Sequence, residues 1–276
     1  MNNKNIRQAA VAGMFYSGDK NTLEREVAVF LENSREEQTG QRLFGIVAPH
    51  AGYMFSGGVA ARSYRQLVGK AFDTVVVVSP SHRTYFEEIS IYDGDAYNTP
   101  LGSIETDHQM ADELTNQNER IIRSDLGHAV DEHALEVQLP FLQHVLEDFK
   151  LVPVVMGNQD GENVHILADA LARVVKDKNA LLVASSDLSH FHSYDQAVTL
   201  DKVVVDQINR FNYQGLLEDL QTGVCEMCGG GPVAAVMKAC EILGADHSRV
   251  LLYRNSGDVT GDKSKVVGYL SAVFYQ

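Results

Sequence analysis

Residues 74–82 read Thr74-Val75-Val76-Val77-Val78-Ser79-Pro80-Ser81-His82. The valine run has the length and β-branched character of a strand, and Pro80 stops it just before a histidine. The construction recurs on either side. Residues 44–48 (FGIVA) run into Pro49-His50, and residues 181–185 (LLVAS) run into Ser186-Asp187-Leu188-Ser189-His190. Further strand-length runs are ISIYD (89–93), LVPVVM (151–156), VLLYR (250–254) and VGYLSAVF (267–274). Helix-periodic segments lie between them. One after Asn21 puts Leu23, Val27, Phe30 and Leu31 on one face, and one after Asp131 does so with Leu135, Leu139, Leu142 and Leu146. Pro140 is expected to kink the latter. Segments 163–175 and 197–211 are long enough to cross over between parallel strands. The alternation predicts an α/β fold with a largely parallel central sheet flanked by helices. With no repeat or linker-like shift in composition, residues 1–276 are expected to form a single domain.

Composition narrows the function classes. Lys plus Arg number 23 against 37 Asp plus Glu, a formal net charge of -14, which opposes nucleic acid and anionic membrane surfaces as partners. The opening residues lack a secretory core, and no apolar run approaches the roughly 20 residues of a membrane span. A cytoplasmic location is expected. Three cysteines are too few for a disulfide framework, so they read as free thiols or metal ligands.

In a parallel sheet the carboxyl ends of the strands share one edge, and ligands bind in the crevice outside it. His50, His82 and His190 are therefore expected to converge. A lone histidine is more often a hydrogen-bonded structural residue, but three at similar strand-end offsets point to a site. Cys228 begins Cys228-Gly229-Gly230-Gly231-Pro232, where Pro232 suits the first position of a helix. A helix N-terminus there should lower the thiol pKa and make Cys228 a metal ligand or nucleophile. Cys240 reads as core, Cys225 as either, and a phosphate cradle at the glycines has no supporting motif. His133 and Glu136 fall one helical turn apart and can act together. Against that stands an ordinary acidic helix start. Asp187 is expected to orient His190, His192 could compete with it as a ligand, and Tyr53 reads as a pocket or core residue. Any metal held by these histidines should be lost below pH ~6.5.

The blocks APHAGYMFSG, SPSH, DEHALEVQLPF, SSDLSH and CGGGP, in this order, look like the signature of the Memo family, and the ends of the chain fit as well. Memo proteins resemble extradiol dioxygenases, whose iron(II) is held by two histidines and a glutamate. The resemblance implies that His50 and His82 are metal ligands and that His190 is the acid-base histidine. It also implies Cys228 in place of the glutamate, a softer donor that suits iron, copper or zinc. Iron(II) is the expected cofactor. A small organic substrate is implied, together with partner proteins of the radical-SAM and AMMECR types. Three functions stay open: a non-haem iron dioxygenase or oxidoreductase with His190, Asp187, His133 and Glu136 around the metal, a peptide- or partner-binding protein that keeps the pocket, and a zinc hydrolase.

Overall fold

The strand Thr74–Pro80 is buried at every position, which requires that both faces of its sheet be covered. Val76 and Val78 join one apolar cluster, while Val75 and Val77 join another, as the two-residue period of a strand demands. The computed structural model describes residues 5–37, 42–128 and 131–276. In chain order these form β1 (Ile6–Arg7), α1 (Lys20–Glu32), β2 (Leu43–Ala48), α2 (Tyr53–Tyr64), β3 (Thr74–Pro80), β4 (Ile89–Ile91), β5 (Ala96–Thr99), β6 (Gly102–Glu105), α3 (His108–Thr115) and β7 (Ile121–Arg123). There follow α4 (Leu139–Val145), β8 (Lys150–Met156), α5 (Gly161–Val175), β9 (Ala180–Ser185), β10 (His190–His192), α6 (Tyr194–Asn209), α7 (Tyr213–Gln221), α8 (Gly230–Leu243), β11 (His247–Asn255), α9 (Ser256–Thr260) and β12 (Val266–Tyr275).

The fold is α/β, as expected, and every strand expected above is present. The main sheet is mixed. Its centre, β2-β9-β3-β8, is parallel. Antiparallel pairing begins on both sides, through β12 against β2 and β4 against β8. Strand β11 lies off this path and pairs antiparallel with β12, the connection between the two being too short for a parallel crossover. Strand β1 lies in a separate three-stranded sheet with β5 and β6. Helices α5 and α8 cover one face of the main sheet, and α1, α2 and α4 cover the other. Asp19 caps α1 by accepting the Thr22 N–H, which leaves Leu23, Val27 and Leu31 on the buried stripe.

The expected helix from Asp131 is a correction. The carboxylate of Glu132 accepts the backbone N–H groups of His133 and Ala134, holding this stretch in a turn. A short 3-10 turn at Glu136–Gln138 follows, and α4 begins only at Leu139. Pro140 therefore stands in the first turn of α4, where its missing N–H costs nothing, and it starts the helix instead of kinking it. Among the described residues no helix is long and apolar enough to cross a membrane.

Candidate metal centre

Strands β2, β9 and β3 stand side by side and parallel, with Ala48 level with Ser185. Their carboxyl ends therefore release the His50, Asp187 and His82 turns along one edge, and β8 adds Gln159 just beyond its own end. Cys228 arrives from the other direction, on the lead into α8. The Cys228 N–H donates to the Asp187 carbonyl at 3.3 Å, the Asp187 N–H donates to Cys228 Sγ at 3.2 Å, and the Gly229 N–H donates to Ser186 Oγ at 2.8 Å. This docking needs glycine: a Cβ on Gly229 would fall 2.3 Å from the Ser185 carbonyl oxygen. Helix α8 starts at Gly230, which puts Pro232 at its third residue and not its first. Gln159 caps it, accepting the Gly231 N–H and donating to the Cys228 carbonyl. Two of the amides that a phosphate would need are thus already engaged, and the phosphate-cradle alternative finds no support.

One ligand atom from each of His50, His82 and Cys228 can be chosen so that all three lie within 4.8 Å of one another. Ligands around a tetrahedral ion, at roughly 2.0–2.3 Å from it, sit about 3.5 Å apart, so a small closure would complete the set. Cys228 Sγ is already 3.2 Å from His50 Nε2. Hydrogen bonding also fixes the tautomers. Ser185 Oγ gives its one proton to the Ala134 carbonyl and accepts from Gln138 Nε2. The 2.9 Å contact from His50 Nδ1 to that oxygen must then be a donation. His82 Nδ1 faces the Glu132 carboxylate at 3.1 Å and His190 Nδ1 faces the Leu188 carbonyl at 2.7 Å, and both partners only accept. All three imidazoles thus carry the proton on Nδ1 and present Nε2 as a lone pair.

The remaining expected residues divide. His133 lies among the candidate ligands, its ring 4.7 Å from that of His82 and 5.3 Å from that of His50. Asp187 also faces the cluster, with Oδ2 3.9 Å from His50 Nε2, but its other oxygen takes the His50 N–H. His190 is held by the Leu188 carbonyl and not by Asp187 as expected. Glu136 points away from the cluster. It is fully buried and accepts from Arg7 Nη1, the Ala10 and Val11 N–H groups and the Tyr16 hydroxyl. It anchors the N-terminal segment. His192 pairs with Glu226 at 2.9 Å, and the positive φ of 63° at Phe191 breaks the extended geometry that would have made it a rival to His190. Tyr53 is a core residue that donates to the Val137 carbonyl.

Glu132, Ser185 and Gln138 were missed by sequence reasoning. Glu132 accepts four N–H groups, from the His82 backbone and ring, His133 and Ala134. Its oxygens are therefore committed, and a second ion on His82, Glu132 and His133, although those atoms are also mutually close, would have to break these bonds. The DEH triplet held the signal, because an acid beside a candidate histidine can orient another one.

Burial, and then the nearby imidazoles beginning with His82, which disfavour a further positive charge, hold His50 well below the ordinary histidine range. The same causes bring His133 down to about 4, and burial lowers His190. These rings stay neutral at pH 7. Burial would raise Glu132, but the His82 and backbone hydrogen bonds outweigh it and hold the group down to about 2. Burial raises Asp187 to about 7. The Cys228 thiol, expected to be acidic, is pushed up to about 12 by burial and the Asp187 charge, which together outweigh the hydrogen bonds at the α8 start. Cys225 is raised to about 11 and Cys240 is also raised, both chiefly by burial.

The sequence model of the Memo-like protein family matches residues 7–273. The chain belongs to the Memo family. A MEMO1 family protein of Methanosarcina mazei is 39% identical over 272 residues, covering 97% of this chain and 98% of its own. One from Methanothermobacter thermautotrophicus is 36% identical over 273 residues, covering 96% and 98%. Among solved structures, an uncharacterized protein of Escherichia coli K12 superposes with a TM-score of 0.56 at 15% identity, over 84% of this Memo chain and 99% of its own. That likeness is one of fold.

Proposed function

We propose that His50, His82 and Cys228 hold one iron(II) ion, and that the chain is an oxidoreductase of the dioxygenase type acting on a small organic molecule. The observation that carries this reading is the common tautomer: two candidate ligands and the neighbouring His190 each have Nδ1–H tied down and Nε2 free. When bound, iron(II) with open positions supplies Lewis acidity and one-electron chemistry. The protein's own part is positional. Ser185 and Glu132 aim the two ligand rings, and His190, fixed by the Leu188 carbonyl, accepts a proton on Nε2 and returns it. Asp187, with a pKa near 7, is a second group able to change its charge beside the ligands at working pH.

Metal content after anaerobic reconstitution tests the centre, with about one ion per chain expected. Cys228→Ser and His50→Ala should lose the ion, whereas Cys225→Ser and Cys240→Ser should keep it. His190→Ala should keep the ion and lose oxygen uptake on a panel of catechols. A stoichiometry near zero in the parent chain sinks the reading. Since two imidazoles and a thiolate also suit zinc, oxygen uptake absent with iron but ester hydrolysis present with zinc would replace the oxidoreductase with a hydrolase.

A further inference from the structure

Cys228, one of the three candidate ligands, and His190 both line a cleft of about 710 Å³. Leu188, Leu217, Leu220 and Met227 make its apolar wall, and Asp160 and Glu226 bring carboxylates to it. Among the described residues lining the cleft none is Lys or Arg. His190 is the lining group that could turn cationic near neutrality, and burial disfavours that form. The Gly231 amide at the start of α8 is taken by Gln159.

The two carboxylates are not used up by their neighbours. Asp160 accepts from the Asn163 N–H at 2.8 Å and from Asn158 Nδ2 at 3.0 Å. Glu226 meets His192 Nε2 at 2.9 Å and keeps 46% of its side chain exposed. A carboxylate has about four acceptor positions, so both retain capacity for a further donor. In the metal-free chain an anionic ligand entering here would lose water and gain no Lys or Arg partner from the lining, which opposes its binding. A cationic ligand would find compensation within the cleft, and a chain of net charge -14 adds to the attraction.

We propose that this cleft is the substrate pocket of the candidate metal site, and that it takes a small apolar or aromatic molecule bearing an amine while rejecting the matching carboxylate. The assignment as substrate pocket rests on the metal-site reading. The charge preference does not, because the cleft is formed by protein alone. Glu226 and Asp160 determine specificity, and the leucines and Met227 hold the carbon skeleton.

Calorimetric titration of the full chain, freed of metal by chelation and dialysis, tests this with phenethylamine against 3-phenylpropionate at low ionic strength. The amine is expected to bind about tenfold more tightly, the scale of one partly screened charge contact, and the difference should shrink as salt is added. Glu226→Gln combined with Asp160→Asn should remove most of the preference, and Asn still caps α5. Leu220→Trp should block both ligands, with circular dichroism confirming that each variant is folded. Equal affinities, a tighter carboxylate, no binding of either ligand, or a preference that survives the double substitution would overturn the proposal. Metal content is measured separately, so a charge preference without metal uptake removes the metal reading and the substrate-pocket assignment that rests on it but leaves the amine preference, and metal uptake without a preference removes the amine preference alone.

Discussion

An imidazole ligates through whichever nitrogen its surroundings leave bare, so the residues behind a ligand matter as much as the ligand. Glu132 is the clearest case, since it orients His82 and ties the His82 backbone to the His133 turn. Glu132→Gln should weaken metal binding about 10- to 100-fold, measured by competition with a chelator, and unchanged affinity would show that His82 needs no such support. The variant should also lose stability that the parent has above the ordinary carboxylate pKa and that falls away as pH drops toward 2, because the folded-state pKa is depressed. The pH dependence of metal binding should follow the thiol. His50 stays neutral well below pH 6.5, so its protonation does not set the acid limit that the reference histidine pKa suggested. Cys228, with a pKa near 12, must release its proton on binding. Affinity should therefore rise about tenfold per pH unit between pH 6 and 8, and a flat profile would argue against a thiolate ligand. At this scale the sequence marked His50, His82, His190 and Cys228 as candidates, because strand ends and a glycine turn single them out locally. Ser185 and Gln138 were not legible, since their roles depend on partners across the fold.

Elements are where local periodicity misled. Residues 131–146 carry leucines at helical spacing, yet backbone bonds to Glu132 outcompete the helix over the first residues. Once that stretch becomes a turn, His133 and Glu136 separate, one toward the metal candidates and the other toward the N-terminal segment. Glu136 and Arg7 form a buried ion pair at 2.6 Å, and Arg7 also donates to the His128 and Glu132 carbonyls. Removing one partner of such a pair leaves a buried charge unmatched. Glu136→Gln should lower unfolding stability by about 3–5 kcal/mol while metal content per folded chain persists. Lost metal at unchanged stability, read by chemical denaturation beside metal analysis, would return Glu136 to the site.

For the whole molecule, the strand runs sufficed to predict an α/β fold, because buried central strands advertise themselves as continuous apolar stretches. The antiparallel flanks were less visible, since pairing direction depends on connection lengths and partners that a strand's own residues do not encode. The candidate ligands gathered from the ends of β2 and β3 and from the start of α8 come together as a set only in the folded chain. An ion held there should stabilise the native state by about 2.7 kcal/mol at a free concentration 100-fold above its dissociation constant. Scanning calorimetry should show the thermal midpoint rising by several degrees on reconstitution, and no rise would mean that the ion does not bind the folded chain in preference to the unfolded one.

The separation of Cys228 from His50, 178 residues along the chain, also orders events during synthesis. A ribosome that has delivered β2 and β3 has exposed two imidazoles but no thiol, and the sheet still lacks β9, the strand that lies between them. Such a nascent chain offers a metal only a loose pair of donors. Loading of an ion at the proposed site would therefore wait until nearly the whole polypeptide has emerged, and a protein truncated before α8 would leave the ribosome without the thiol that the proposed site needs.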